Sequence, residues 1–311
     1  MAHVEELEQM AELLDVHPDY KVLRRMPGDR VEIVPARGGN HLRIAILDVE
    51  TTGLQFGKDR IIELGVVLVE VDPETHRALG VIDAFQGFED PGFSIPAETT
   101  AINGITDAQV AGHRLDDARL AAMFANVDLV VAHNAGFDRK FVEQRLPFFQ
   151  ALNWACSQTQ INWKAAGVAS AKLEYLASQF GFFYDAHRAQ TDCLALMRVL
   201  TAPMPTGESA ALAQLVAQAR EPVMRIWATN SHFDSKDALK SRGYGWDPQR
   251  RCWNIRVKKA DIRDEAYWLR DHVYGGREVT LEFEALDAKV LFSDRRGEIA
   301  HKRVPAMKKA A

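Results

Sequence analysis

The sequence predicts an α/β fold, because predicted strands are followed by segments of helical periodicity. The stretch 44–54 opens with apolar and β-branched residues, the composition of a buried strand. Two further strands are predicted at 61–69 and 79–88, and their short connections favour antiparallel neighbours. A fourth predicted strand, 128–132, runs directly into a helix.

Length and composition indicate a globular protein with room for two domains. The chain has 311 residues, of which 47% are hydrophobic and 26% charged. No apolar run approaches the ~20 residues of a membrane span, and the N-terminus does not resemble a secretory signal. The three cysteines are widely separated and suggest neither a disulfide framework nor a zinc site. We therefore expect a reducing, cytoplasmic location.

The charge is distributed unevenly along the chain. Residues 220–311 hold 20 Lys and Arg against 14 Asp and Glu, whereas the whole chain has a net charge of −5. A basic C-terminal part would help to hold a polyanion. Ordinary solvated surfaces explain the same modest excess.

Two carboxylates stand two residues apart in the first predicted strand. Asp48 and Glu50 share one face of that strand, because side chains alternate between its faces. Like charges on a buried strand repel each other, and a divalent cation that prefers oxygen ligands removes this penalty. Gly53 lets the backbone approach a ligand where the strand ends. The alternative is a strand that ends in solvated acids.

Later segments add three candidate residues. Asp138 falls in the first turn of a helix, where a carboxylate also stabilises the helix dipole. His187 and Asp192 would be separated by about 140° on one helix and would not share a face. We therefore place His187 in a loop before the helix and Asp192 on the helix, facing the strand pair. A loop histidine is free to move over a substrate, or is simply a surface residue.

Three motifs in this order resemble the DnaQ-like exonucleases of the DEDDh type, which include the epsilon proofreading subunit of bacterial DNA polymerase III. The motifs are DVETTGL at 48–54, HNAGFD at 133–138 and HRAQTD at 187–192. The segment INGIT at 102–106 also matches one that is frequent in the family. The resemblance covers about residues 40–202, and the motifs in order are far more specific than any one of them.

The resemblance implies a ribonuclease H-like fold, with a five-stranded mixed sheet and helices on both faces. It also implies that Asp48, Glu50, Asp138 and Asp192 hold two Mg²⁺ or Mn²⁺ ions. His187 would accept a proton from the attacking water. The implied enzyme is a metal-dependent 3′→5′ exonuclease that releases 5′-nucleoside monophosphates.

Substrate and partners also follow from the resemblance. The expected substrate is a DNA 3′ end, single-stranded or frayed, in repair or proofreading, with a DNA polymerase or repair complex as partner. The expected substrate contacts are Thr51, Thr52, Gly53, Leu54, Asn134 and His187. Two alternatives are an RNA 3′-end exonuclease and a nucleic-acid-binding accessory module of a polymerase.

A small α+β domain is predicted at 223–290. It looks like a domain of unknown function that is appended to some exonucleases and other DNA-processing proteins. Its tryptophans and cations suit a single-strand-binding surface, although aromatic rings also fill small cores. We assign Trp227 and Trp253 to the core. The candidate nucleic-acid contacts are Lys236, Lys240, Arg242, Tyr244, Trp246 and Arg251.

The expected organisation has five parts. They are an N-terminal helical lead-in at 1–40, an exonuclease domain at 41–202, a linker helix at 203–222, the small domain at 223–290 and a flexible tail at 291–311.

Overall fold

The computed structural model describes residues 2–27, 31–37, 39–204 and 210–307. The chain forms two compact units, Met1–Gln218 and Ala219–Ala311. Residues 205–209 of the expected linker and 308–311 of the expected tail lie outside the described residues. No helix in the described part is long and apolar enough to cross a membrane.

The first unit contains seven strands among its described residues. They are β1 (Arg24–Arg25), β2 (Leu42–Thr51), β3 (Ile61–Val71), β4 (Ala78–Phe88), β5 (Leu129–Ala132), β6 (Trp154–Cys156) and β7 (Phe182–Phe183). Its helices are α1 (Ala2–Asp15), α2 (Ala97–Asn103), α3 (Asp107–Val110), α4 (Asp117–Phe124), α5 (Ala135–Arg145), α6 (Leu173–Gln179) and α7 (Ala189–Thr201). A further helix, α8 (Ala211–Arg220), ends at the boundary of the units.

A five-stranded mixed sheet forms the centre of this unit, with the strand order β4-β3-β2-β5-β6. Its first three strands are antiparallel neighbours, as their short connections predicted. β5 and β6 are parallel to β2. Every residue of β3 is buried, which explains why it is apolar at all positions except Glu63 and Glu70. The α/β, ribonuclease H-like fold class is therefore confirmed.

Segments outside the sheet also pack on this unit. β1 in the lead-in pairs in parallel with β7, and Ile33 forms a bridge with Val81 of β4. The helix expected as a linker has a buried face, which includes Leu212 and Leu215. The Asn162 N–H donates to the Gln214 side chain on α8 at 3.3 Å. The first eight residues of α8 thus belong to the first unit.

The second unit has its own sheet and core. Its strands are β8 (Val223–Ala228), β9 (Gly245–Asp247), β10 (Cys252–Lys258), β11 (Val279–Leu286) and β12 (Glu298–Val304), and its helices are α9 (Lys236–Arg242) and α10 (Ile262–His272). The sheet is antiparallel, with the order β12-β11-β8-β10-β9. Ile226, Leu239, Leu269 and Phe283 are buried in the core. Trp227 is buried, as expected, and Trp253 packs partly buried on that core.

The expectation of a flexible tail from residue 291 is wrong for the described part. β12 pairs with β11 along seven residues. All of its side chains except Val304 are exposed. Its sequence therefore lacks the alternation of apolar and polar residues that marks a half-buried strand. Backbone hydrogen bonding to β11 and the single buried valine keep it in the sheet.

Candidate active site

Three carboxylates from two elements meet at the end of β2. Asp48 and Glu50 lie on β2 and Asp192 lies in the first turn of α7. One oxygen from each lies within 4.8 Å of the others. Asp192 thus faces the strand pair, as the spacing of its motif predicted.

The fourth predicted acid, Asp138, lies in the first turn of α5 and is 2% exposed. Its Oδ1 accepts a hydrogen bond from the Val49 N–H at 3.1 Å, between the two strand carboxylates. In the described part of the chain it does not belong to the group of three that meets within 4.8 Å. Asp138 lines the same cleft as that group.

Burial raises the pKa of all four carboxyl groups. For Asp48, burial and then the charge of Asp138 raise the pKa well above its usual range. For Glu50, burial raises the pKa to about 7, although the hydrogen bond from Asn103 opposes the shift. Burial also raises the pKa values of Asp138 and Asp192. Such a cluster favours either bound protons or a divalent cation.

Neighbouring side chains orient these carboxylates. The Tyr184 hydroxyl donates to Asp192 Oδ1 at 3.0 Å, and the Arg188 N–H donates to Asp192 Oδ2 at 3.0 Å. Asn103 Nδ2 donates to Glu50 Oε2 at 3.2 Å. Sequence reasoning assigned no role to Tyr184 or Asn103. The INGIT segment contains Asn103 and was the available signal, whereas nothing in the sequence marked Tyr184.

A buried carboxylate fixes the start of α7. Glu63 on β3 is 0% exposed and accepts two hydrogen bonds from the Arg188 guanidinium, at 3.0 and 3.2 Å. It also accepts the Ala189 N–H at 3.1 Å. Gly65 stands opposite Asp48 in the sheet. A Cβ at Gly65 would lie 2.4 Å from the Ala189 carbonyl carbon, so only glycine allows this approach.

His187 lies in the loop before α7, as predicted. Its side chain is 48% exposed and its φ is +69°, in the left-handed region. Its Nε2 lies 4.0 Å from Glu174 Oε1. The imidazole lines the cleft that holds the carboxylates, within reach of solvent.

The cleft has a volume of about 780 Å³ and includes all the predicted substrate contacts. Thr51, Thr52, Gly53 and Leu54 follow β2 along its wall, and Asn134 precedes α5. Leu54 is 83% exposed and Ile102 is 65% exposed, so two apolar side chains face solvent in the same cleft. A Cβ at Gly53 would lie 2.7 Å from Asp59 Oδ2, which accepts the Gln55 N–H at 2.7 Å.

The second unit brings together four of its six predicted contacts. Lys236, Lys240, Trp246 and Arg251 line one groove. The expectation for Tyr244 is wrong, because its ring is 4% exposed and its hydroxyl donates to Glu265. Arg242 forms an ion pair with the same Glu265 at 2.9 Å and does not line the groove.

Comparisons with known proteins agree with this geometry. The exonuclease family model matches residues 45–200. DNA polymerase III subunit epsilon of Treponema pallidum is 31% identical over 170 residues, which cover 52% of this chain and 76% of the relative. PolC-type DNA polymerase III of Listeria welshimeri is 39% identical over 99 residues, 31% of this chain but only 6% of that protein.

Among solved structures, exonuclease X in complex with 5′-overhanging duplex DNA is 24% identical. The match covers 55% of this chain and 99% of exonuclease X, with a TM-score of 0.40. The family model spans half of this chain, and the acidic cleft lies within the matched residues. This chain belongs to the exonuclease family.

Proposed function

We propose that this chain is a divalent-metal-dependent 3′→5′ exonuclease that releases 5′-nucleoside monophosphates from DNA 3′ ends, single-stranded or frayed, in repair or proofreading. The observation that carries the proposal is the meeting of Asp48, Glu50 and Asp192 within 4.8 Å. A phosphodiester is anionic, so carboxylates alone would repel it. Their concentration in a cleft is useful for hydrolysis only if cations neutralise them.

The donor set suits hard divalent cations. It consists of carboxylate oxygens, which magnesium and manganese prefer. Burial raises the pKa of Glu50, so a negative charge there is unfavourable unless a cation neutralises it. We propose that Asp48, Glu50, Asp138 and Asp192 hold two Mg²⁺ or Mn²⁺ ions. When bound, such ions activate water and stabilise negative charge on the leaving oxygen.

We propose that His187 is the general base. Neutral imidazole accepts a proton from the attacking water, and the loop position lets the ring approach the substrate. Tyr184 and Asn103 hold Asp192 and Glu50 in fixed orientations through their hydrogen bonds. The exposed side chain of Leu54 offers an apolar wall for the terminal base, beside the backbone of Thr51 to Gly53.

The choice of DNA rests on the relatives. The Treponema pallidum protein, which matches 52% of this chain, is named as a subunit of DNA polymerase III. We therefore propose a DNA polymerase or repair complex as the partner. A protein distinguishes RNA from DNA through contacts to the 2′-hydroxyl group, which depend on the shape of the site, so RNA belongs in the test.

The test uses 5′-labelled single-stranded DNA, blunt duplex DNA and single-stranded RNA, each with Mg²⁺ or with a chelator. We expect single-stranded DNA to shorten stepwise from its 3′ end, and the chelator to stop the reaction. Asp192→Asn should abolish the activity. Asp185→Asn is the matched control, because Asp185 lies seven residues away with an 84% exposed side chain and does not line the cleft.

The outcomes separate the alternatives. If RNA is shortened faster than DNA, the substrate is RNA and the proposed mechanism of hydrolysis is unchanged. Label released from the 5′ end would contradict the proposed direction. If Mg²⁺ or Mn²⁺ binds but no substrate is shortened, the chain is a binding module and the proposed activity is wrong.

A further inference from the structure

A groove in the second unit combines aromatic rings with cations. It has a volume of about 580 Å³ and lies beside α9 and the paired strands β9 and β10. Its lining includes Phe233, Lys236, Lys240, Trp246, Arg251 and Trp253. All of these residues belong to the second unit, whereas every residue that lines the acidic cleft belongs to the first.

The rings in this groove are available to a ligand. Phe233 is 79% exposed and Trp246 is 49% exposed. Trp246 meets the half-buried Trp253 edge to face, with ring centroids 5.4 Å apart, so one ring supports the other while the Trp246 side chain remains open to solvent. Exposed aromatic surface of this size is unfavourable in water, and a planar ligand that stacks on it would cover it.

The groove cations differ from three arginines of the same unit. Arg225, Arg242 and Arg250 each form an ion pair with a buried glutamate, Glu284, Glu265 and Glu282 respectively. Within residues 210–307, no ion pair is found for Lys236, Lys240 or Arg251. Lys236 Nζ instead lies 5.7 Å from the centre of the Phe233 ring. His232, which also lines the groove, lies 3.1 Å from Asp234.

We propose that this groove binds a single strand of nucleic acid. Stacked bases would cover Phe233 and Trp246, and backbone phosphates would lie against Lys236, Lys240 and Arg251. A strand of nucleic acid offers both chemistries at once, because each nucleotide carries one flat ring system and one negative charge. Since stacking does not distinguish between bases, binding is tolerant of sequence. The groove belongs to the second unit, and the proposal does not depend on the exonuclease activity proposed for the first.

The test measures binding of the full chain to fluorescein-labelled oligo(dT) and oligo(U) by anisotropy, with a chelator present to prevent hydrolysis. Trp246→Ala and Phe233→Ala should each weaken binding about ten-fold, because each removes one stacking surface. Lys240→Gln should reduce the slope of log K against log salt by about 0.7, the contribution of one phosphate on a single strand. The stacking variants should leave this slope unchanged.

Lys302→Gln is the charge-matched control, because Lys302 lies exposed on β12 away from the groove. It should change neither affinity nor slope. Because Phe233 is exposed, Phe233→Ala tests the groove even if Trp246→Ala unfolds. Circular dichroism shows whether each of the two variants is folded. Unchanged affinity in both ring variants, together with an unchanged salt slope in Lys240→Gln, would overturn the proposal. A loss of affinity and slope in Lys302→Gln equal to that in Lys240→Gln would also overturn it.

Hydrolysis of a dinucleotide with Mg²⁺ distinguishes this proposal from the proposed function. A dinucleotide is too short to need a second site, so the groove variants should hydrolyse it at the rate of the unmodified chain. If neither the unmodified chain nor the groove variants hydrolyse the dinucleotide, but oligo(dT) binding still depends on the groove, the exonuclease proposal fails and the groove proposal stands. Binding of oligo(U) alone would identify the strand as RNA.

Discussion

Tyr184 shows how one hydroxyl can control a candidate metal ligand. Its bond to Asp192 Oδ1 lowers the pKa of that carboxyl group, against the larger effect of burial. Tyr184→Phe removes the donor and leaves the ring, so protons compete better with cations for Asp192. We predict that half-maximal hydrolysis will need about ten-fold more Mg²⁺, with the rate at saturating Mg²⁺ largely restored.

A titration of hydrolysis rate against Mg²⁺ checks this prediction. Tyr175→Phe is the matched control, because Tyr175 is exposed on α6 and does not line the cleft. If Tyr184→Phe lowers the saturating rate and leaves the Mg²⁺ requirement unchanged, the hydroxyl acts on the substrate and not on Asp192.

The raised pKa of Glu50 makes stability depend on pH. Its usual value is 4.5, and burial raises it to about 7 in the folded chain. The folded state therefore holds the proton more tightly, so this stabilising contribution is complete below pH 4.5 and is lost as the pH rises through 7. We predict that, in chelator, the free energy of unfolding of the unmodified chain falls between about pH 5 and about pH 8. This fall should exceed that of Glu50→Gln by roughly 2 kcal/mol.

Denaturant unfolding at the two pH values measures that difference. Glutamine serves as the reference because it cannot titrate and keeps the shape of the protonated acid. Adding Mg²⁺ at the higher pH should restore stability to the unmodified chain, because the cation replaces the proton. The idea fails if both proteins show the same pH dependence in chelator.

At the scale of single residues, the sequence predicted side chains whose chemistry is visible in a motif. Local geometry places Asp48 and Glu50 on one face of β2 and Asp192 in the first turn of α7. Tyr184 and Glu63 depend on tertiary packing, which no local pattern reveals. Tyr244 was misjudged for the same reason, since its burial depends on the distant Glu265.

At the scale of elements, the approach of α7 to β3 decides where Asp192 lies. Gly65 permits it, since a Cβ there would lie 2.4 Å from the Gln190 nitrogen as well as the Ala189 carbonyl carbon. We predict that Gly65→Ala will destabilise the chain by about 1–3 kcal/mol, because the overlap involves backbone atoms. It should also slow hydrolysis, because the added methyl group would push α7, and Asp192 with it, away from β2.

Urea unfolding and a hydrolysis assay measure the two effects. Gly136→Ala is the control for stability, because Gly136 lies inside α5 and a Cβ there would meet nothing within 4 Å. Alanine should stabilise that helix by up to about 1 kcal/mol. Equal stability changes in the two variants would show that the close contact at Gly65 is unimportant.

Element prediction succeeded for strands whose limits are marked by an apolar run or by a short turn. β3 and β4 begin and end close to their predicted limits, because one strand is buried throughout and the other follows a short turn. β6 has three residues and β12 has one buried side chain, so neither carries a periodic signal. Both are held by pairing with a neighbouring strand, which the sequence of the segment does not encode.

At the scale of the whole molecule, the two units divide the chemistry between them. The residues that line the acidic cleft all lie from Asp48 to Asp192, and the buried five-stranded sheet lies in the same unit. The second unit has a separate core around Ile226, Leu239 and Phe283. The first unit therefore contains both the groups and the packing that the proposed hydrolysis requires.

We predict that a fragment of residues 1–220, which ends with α8, will hydrolyse a dinucleotide in Mg²⁺ at the rate of the full chain. The same fragment should bind oligo(dT) in chelator more weakly and with a smaller salt slope, because the cations of the groove are gone. Circular dichroism and a cooperative urea transition establish that it is folded. A folded fragment without dinucleotide hydrolysis would mean that the second unit takes part in the reaction itself, and a fragment with undiminished oligo(dT) binding would assign all of the binding to the cleft.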